Sequence, residues 1–238
     1  MLSQVQAHYL ANVMRRKIGD QIEVFNGEDG AFAAHIVTLD KRKGTVKIDH
    51  QTSPVDEGPA IHLAYAPIKR GPTEILVQKA TELGVASLTP VRTARTVAKP
   101  ANEDRLAAIS IEAAEQSERV SVPVFNELVS LEAFLGRLDH RLIFADEAGD
   151  DPDAKWGGRN GHAPLFTPAF IGNGREPVSL LIGPEGGFTP DERQAIRAHQ
   201  NAIPISLGPL ILKAETAAIT TLSLIRHAMM CASTDNQA

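Results

Sequence analysis

The chain has 238 residues, 43% of them apolar, a formal net charge of −5 and a single cysteine, Cys231. Length and composition suit one large or two modest folded domains and exclude a disordered chain, while a lone thiol excludes an internal disulfide and a thiolate zinc cluster. No apolar run reaches the ~18 residues of a membrane span, and the opening "MLSQVQAHYL" lacks the basic stretch and apolar core of a secretory leader, so a cytoplasmic protein is expected.

Residues 1–58 read as a small β domain with one helix. "VQAHYLANVMRRK" sets Val5, Leu10, Val13 and Met14 at mostly helical spacing and ends in a basic cluster. "DQIEVFNGEDGAFAAHIVTLDKRKGTVKID" then offers short apolar runs punctuated by Asn26-Gly27, Asp29-Gly30 and Lys43-Gly44, hairpin signals repeated as in a small barrel. "HQTSPVDEGPA" is the expected linker.

From residue 59 to 238 strands and helices alternate. "IHLAYAPI" is a buried strand, and "PTEILVQKATELG" a helix with Pro72 early and Gly84 as its stop. "VASLTPVRT" is a strand, and "NEDRLAAISIEAAEQSER" a helix capped by Asn102. "LVSLEAFLGRL" reads as helical, and "RLIFADE" and "VSLLIG" as strands. "TPDERQAIRAHQ" is a helix with Thr189 as N-cap, "AIPISLG" a strand and "KAETAAITTLSLIRHAMM" a long last helix. Residues 148–176 are turn-rich and read as a long surface loop. The alternation implies an α/β layer on a mostly parallel sheet.

Two stretches share one grammar, in which a buried strand ends in Gly-Pro and a helix soon follows: "LLIGPEGGFTPDE" and "ISLGPLILKAETAAITTL". In a parallel sheet such turns lie at the carboxyl ends of strands, where ligands collect. Two ordinary strand-to-helix connections are the alternative. Neither the G-x-x-x-x-G-K-[ST] phosphate loop nor an early G-x-G-x-x-G is present, and Glu185 would repel a pyrophosphate. A neutral or cationic ligand is favoured, and S-adenosylmethionine, with a sulfonium charge and no phosphate, fits. The overall negative charge hides a basic centre: residues 69–100 hold six basic residues against two acidic ones, enough to bind RNA locally.

Together the two glycine stretches resemble the paired signature of the SPOUT-class RNA methyltransferases, specifically the family that methylates N3 of a uridine in 16S ribosomal RNA. "HYLANVMRRKIGDQIEVFNG" is similar to that family's PUA-like amino-terminal barrel, and "VQKATELGVASLTPVRTARTV" and "IEAAEQSERVSVP" to its middle motifs. The resemblance implies a PUA-like barrel over residues 1–58 and, over 59–238, a SPOUT α/β domain with a deep trefoil knot, an exception to the rule against knots. It also implies a homodimer that binds S-adenosylmethionine in the knot and acts on 16S rRNA or the small ribosomal subunit. Carried over by position, the cofactor walls are Ile182, Gly183, Gly186, Leu207, Gly208, Leu210, Ile211 and Leu212. Glycines would let backbone approach the ligand, and aliphatic side chains would sandwich the adenine.

The chain departs from that pattern at Leu210 and Lys213, where the family usually has arginine; lysine keeps the charge without the bidentate fork. It also lacks the short strand that usually precedes the helix at His8-Tyr9-Leu10, so either the barrel is incomplete there or the recorded start lies downstream of the natural one.

Methylation at uridine N3 requires loss of a proton, in-line placement of the reactants and stabilisation of charge on O2 and O4. Glu185, Arg92 and Arg119 are the catalytic candidates. Glu185 has three readings: base, neighbour of the sulfonium, or a charge at a helix start. Arg92, after a predicted strand, would stabilise an oxyanion or hold phosphate. Glu112, Gln116 and Arg119 recur at i, i+4 and i+7, as on one helix face, and Glu215 and Thr216 open the last helix. Arg15, Arg16, Lys69, Arg92 and Arg95 are the RNA candidates, against ordinary surface charge. No histidine spacing suggests a metal. A SPOUT enzyme with another RNA target and a non-catalytic RNA-binding assembly protein are the rival readings.

Overall fold

A computed structural model describes residues 1–55, 60–146 and 163–234. The chain divides into two compact units, Met1–Glu57 and Gly58–Ala238. The expected boundary at 58/59 lies outside the described residues, as do 148–162 of the expected loop.

In the first unit, helix α1 (Gln4–His8) starts at a capping box in which Ser3 Oγ accepts from Gln6 N and Gln6 Oε1 accepts from Ser3 N. It widens into a π-helical turn over Tyr9–Val13. Of the four apolar residues at helical spacing only Leu10 is buried; Val5, Val13 and Met14 are exposed. Strands β1 (Gln21–Phe25), β2 (Ala31–Leu39) and β3 (Gly44–Ser53) form an antiparallel sheet in chain order. The two glycine signals after β1 belong to one connection, because Asn26 Oδ1 accepts from both Glu28 N and Asp29 N and folds the loop as a single turn.

In the second unit the order β10-β8-β9-β4-β5-β6 builds a parallel sheet, with β7 also beside β5. Its strands are β4 (Ile61–Tyr65), β5 (Val85–Arg92), β6 (Val124–Phe125), β7 (Val129–Ser130), β8 (Arg141–Ala145), β9 (Val178–Ile182) and β10 (Ala202–Ile205). Its helices are α2 (Arg70–Glu82), α3 (Glu103–Gln116), α4 (Leu131–Gly136), α5 (Pro190–Ala198) and α6 (Ala214–Thr234). Alternate residues along each strand feed two cores. Leu63, Ile143, Leu180 and Ile182 join α2 and α6 on one face, while Leu142, Phe144 and Leu181 meet α4 and α5 on the other. β9 is buried along its whole length because both faces are covered.

Two expectations are corrected. "LVSLEAFLGRL" is helical only over α4, because Val129 and Ser130 pair with Val91 and Arg92 of β5 instead. α3 ends at Gln116, so Arg119 lies beyond the helix and shares no face with Glu112. The expected loop at 148–176 is mostly exposed over its described part but anchored at points: Ala163 and Ile171 are buried, Pro168–Ile171 forms a 3-10 turn in contact with α6, and Leu165 bridges Ser206 just past β10.

Candidate active site

All strands of the parallel sheet point one way, so the segments after β4, β5, β9 and β10 leave from one edge. β9, β4 and β5 are adjacent, which places the Gly183–Gly187 turn beside Ala66–Lys69 and Thr93–Thr96. Their contacts hold the turn in place. Ala66 N donates to Ile182 O at 2.9 Å. Thr73 Oγ1, buried in α2, donates to Ile68 O and Lys69 O and fixes the chain just before the helix. Arg95 Nη1 donates to Gly186 O at 2.9 Å and to Phe188 O at 3.4 Å. Glu192 closes the capping box on Thr189 and, with its other oxygen, accepts from Ala94 N at 2.6 Å. The β5 and β9 loops are thereby tied by two side chains that are far apart in sequence.

The turn's glycines have internal reasons. A Cβ on Gly183 would stand 2.6 Å from Cε2 of Phe188, so that ring, rather than a ligand, excludes a side chain there. Gly187 has φ +67°, in the left-handed region that favours glycine. A Cβ on Gly186 would meet only ordinary contacts with Arg95. Ile182 lies in the sheet core, so its side chain is not presented at the edge. Leu207 is half-buried against the same core, and Leu212 is half-buried. Leu210 and Ile211, by contrast, are 74% and 87% exposed, and a Cβ on Gly208 would meet open space. The β10 connection therefore offers bare aliphatic surface and accessible backbone, which suits an adenine face. The absence of lysine from the glycine turn, together with its carboxylate, suits a sulfonium better than a phosphate.

Glu185 is exposed, with Oε2 3.8 Å from Lys69 Nζ, an ion pair at the turn. Its reading as a helix-start charge is taken over by Asp191 and Glu192, which lie in the first turn of α5. Arg92 ends β5, exposed at the same edge. Lys69, Arg92, Arg95 and Glu185 thus share this edge. Arg119 is directed elsewhere: Nη1 donates to Thr81 O at the end of α2 and Nε donates to Ser121 Oγ. Arg15, which has φ +53°, and Arg16 belong to the other unit and are exposed. Glu215 is in the first turn of α6.

Sequence reasoning missed Phe188, the second partner of Glu192, and Asp146 at the end of β8, a buried carboxylate that accepts from Arg193 Nε and Arg197 Nε of α5. The Thr189-x-x-Glu192 spacing signalled the capping box; nothing local signalled Ala94 or Asp146. Among the described residues no group of three or more His, Cys, Asp or Glu is placed to hold a metal ion, and no helix is long and apolar enough to cross a membrane.

A family model described as an RNA methyltransferase domain matches residues 56–226, and one described as an RNA methyltransferase PUA domain matches residues 5–49. The ribosomal RNA small subunit methyltransferase E of Rickettsia conorii is 31% identical over 226 residues, covering 95% of this chain and 88% of that protein. Among solved structures, a methyltransferase from Legionella pneumophila in complex with SAM is 32% identical, with a TM-score of 0.75 over 95% of this chain and 90% of that one. Ribosomal RNA small subunit methyltransferase E from Neisseria gonorrhoeae, bound to S-adenosyl methionine, is 25% identical, with a TM-score of 0.78 over 95% of this chain and 90% of that one.

Proposed function

The chain belongs to the ribosomal RNA small subunit methyltransferase E family of RNA methyltransferases, and from that membership we propose that it methylates N3 of a uridine in 16S rRNA with S-adenosylmethionine as methyl donor. The observation that supports the reading is the sheet edge at the carboxyl ends of the parallel strands, where the β9 glycine turn emerges beside Lys69, Arg92 and Arg95 and the connection bearing exposed Leu210 and Ile211 leaves from β10, two strands away. The protein is read as a cytoplasmic homodimer acting on 16S rRNA or the small subunit. Residues 1–58 act as a PUA-like RNA-binding barrel, and 59–238 as the SPOUT domain, with its final segment threaded through a loop as a trefoil knot.

Gly183, Gly186 and Gly208 would border the cofactor with backbone, and Leu207, Leu210, Ile211 and Leu212 would cover its adenine. Bound S-adenosylmethionine supplies an electrophilic methyl group on a sulfonium. The chain's own part is to orient the uridine and manage charge. The Glu185 carboxylate takes the N3 proton, Lys69 holds that carboxylate in position, and Arg92 offsets charge on O2 or O4. Arg95 and Glu192 keep the turn in register. Arg15, Arg16, Lys69, Arg92 and Arg95 contribute phosphate contacts, which position RNA without reading its sequence.

Two measurements test this. Calorimetry with S-adenosylmethionine on the purified protein should show one site per chain, and its absence would sink the enzyme reading. Methylation of rRNA from a strain lacking the gene, followed by mapping of the base, should place the label on N3 of a 16S uridine; a label elsewhere rejects that substrate.

A further inference from the structure

Beside the glycine turn lies a cleft of about 470 Å³ that none of the assigned candidates explains. It opens between the first turns of α2 and α3, off the carboxyl ends of β4 and β5, on the edge that carries Glu185. Lys69 links the two places: its neighbours Ile68 and Arg70 line the cleft, while its own ammonium pairs with Glu185. The volume falls in the range of small-ligand sites, roughly 300–1,000 Å³.

The lining has two parts. Ile68, Ala101 and Leu106 give an apolar floor, and Arg70, Lys99 and Arg105 form a cationic rim with Glu74 as the one anion. Glu74 is already engaged, accepting from Arg70 Nε at 2.8 Å and from Arg105 Nε and Nη2 at 3.4 and 3.3 Å. One carboxylate thus holds two guanidiniums side by side, and the rim keeps a positive excess. Among the described residues Lys99 makes no ion pair. Apolar surface below and forked cations above complement a base and its phosphate.

We propose that this cleft is a nucleotide subsite for the substrate RNA, with a phosphate on Arg70, Lys99 and Arg105 and the attached base against the floor. The assignment rests on the rRNA methyltransferase reading and locates the strand that enters beside the cofactor turn. Glu74 is a positioning residue that sets the spacing of the two arginines.

The test uses the full chain with unmodified small ribosomal subunits, reading filter binding across a salt series and N3 methylation in the same samples. Lys99→Gln, which breaks no internal pair, should weaken RNA binding several-fold and lower the slope of log K against log salt by about 0.7–0.9. Its S-adenosylmethionine affinity should stay at the wild-type value. Ala101→Leu, which fills the floor, should weaken binding with the slope unchanged. Arg137→Gln removes an exposed charge after α4, before β8 begins at the opposite sheet edge, and is the control. If wild type methylates N3 and Lys99→Gln matches Arg137→Gln in affinity and slope, the subsite is overturned while the activity stands. If wild type binds subunits but leaves N3 unmethylated, the activity reading falls, and the slope comparison still decides the cleft. Failure of wild type to bind subunits overturns both.

Discussion

Gly183→Ala adds one methyl group at the mouth of the glycine turn. The new Cβ would lie 2.6 Å from Phe188 Cε2, 3.0 Å from Cδ2 and 3.2 Å from Cζ. The ring cannot retreat freely, because it is buried and stands edge-on to Phe144 with centroids 5.3 Å apart. Overpacking of this kind costs about 1–3 kcal/mol. Alanine at a glycine of ordinary φ returns about 0.4–1 kcal/mol by restricting the unfolded chain. The expected net loss is about 1–2 kcal/mol, or roughly 0.5–1 M in urea midpoint if m is near 2 kcal/mol/M. Far-ultraviolet circular dichroism is the suitable signal, because the long helices all belong to the second unit. In a Phe188→Ala background the clash is gone, and Gly183→Ala should be neutral or slightly stabilising. The cycle should therefore give a coupling of about 1–3 kcal/mol. An equal loss in both backgrounds would refute the claim that the ring, and not the turn itself, demands glycine.

Three further outcomes are expected. Glu185→Gln should lower single-turnover methyl transfer by about 10²–10⁴-fold while S-adenosylmethionine affinity stays within a few-fold; near-wild-type turnover would remove Glu185 as the base. Asp146→Ala should destabilise the second unit by roughly 3–5 kcal/mol in urea unfolding, because it strips the carboxylate from the buried Arg193 guanidinium and the mostly buried one of Arg197; a loss below about 1 kcal/mol would show that other partners suffice. His62, half-buried with Nδ1 on Ser87 Oγ and its ring 5.4 Å from that of His140, is held below the ordinary histidine range by burial first and by His140 second. Its folded pKa lies under the unfolded value, so its contribution is present above about pH 6.5 and is lost as pH falls through the folded pKa. Urea midpoints of wild type should decline across that window more steeply than those of His62→Gln; parallel curves would discard the histidine as the cause.

Local chemistry made much of the fold legible. Asn102 and Thr189 cap α3 and α5 as their side chains dictate, Gly84 stops α2 with φ +79°, and the apolar run of β9 marks a strand covered on both faces. Where reading failed, a distant partner had decided. Val129 and Ser130 have helical neighbours but are taken by β5, and Arg119 at i+7 from Glu112 leaves the face because the helix ends at Gln116, with Glu118 at φ +56°.

The site divides in the same way. The sequence by itself determined that two glycine turns follow buried strands, that one carries a carboxylate and no lysine, and that cations gather in residues 69–100, because strand, turn and charge are properties of neighbours along the chain. Tertiary structure alone decided what those residues touch. It turned Ile182 into the core, left Leu210 and Ile211 bare, put Lys69 on Glu185, and made Arg95 and Glu192 the ties between two loops. Strand order is the physical reason: β9 inserts beside β4 although more than a hundred residues separate them, so the meeting of their loops is a fact of the sheet and not of the sequence around either.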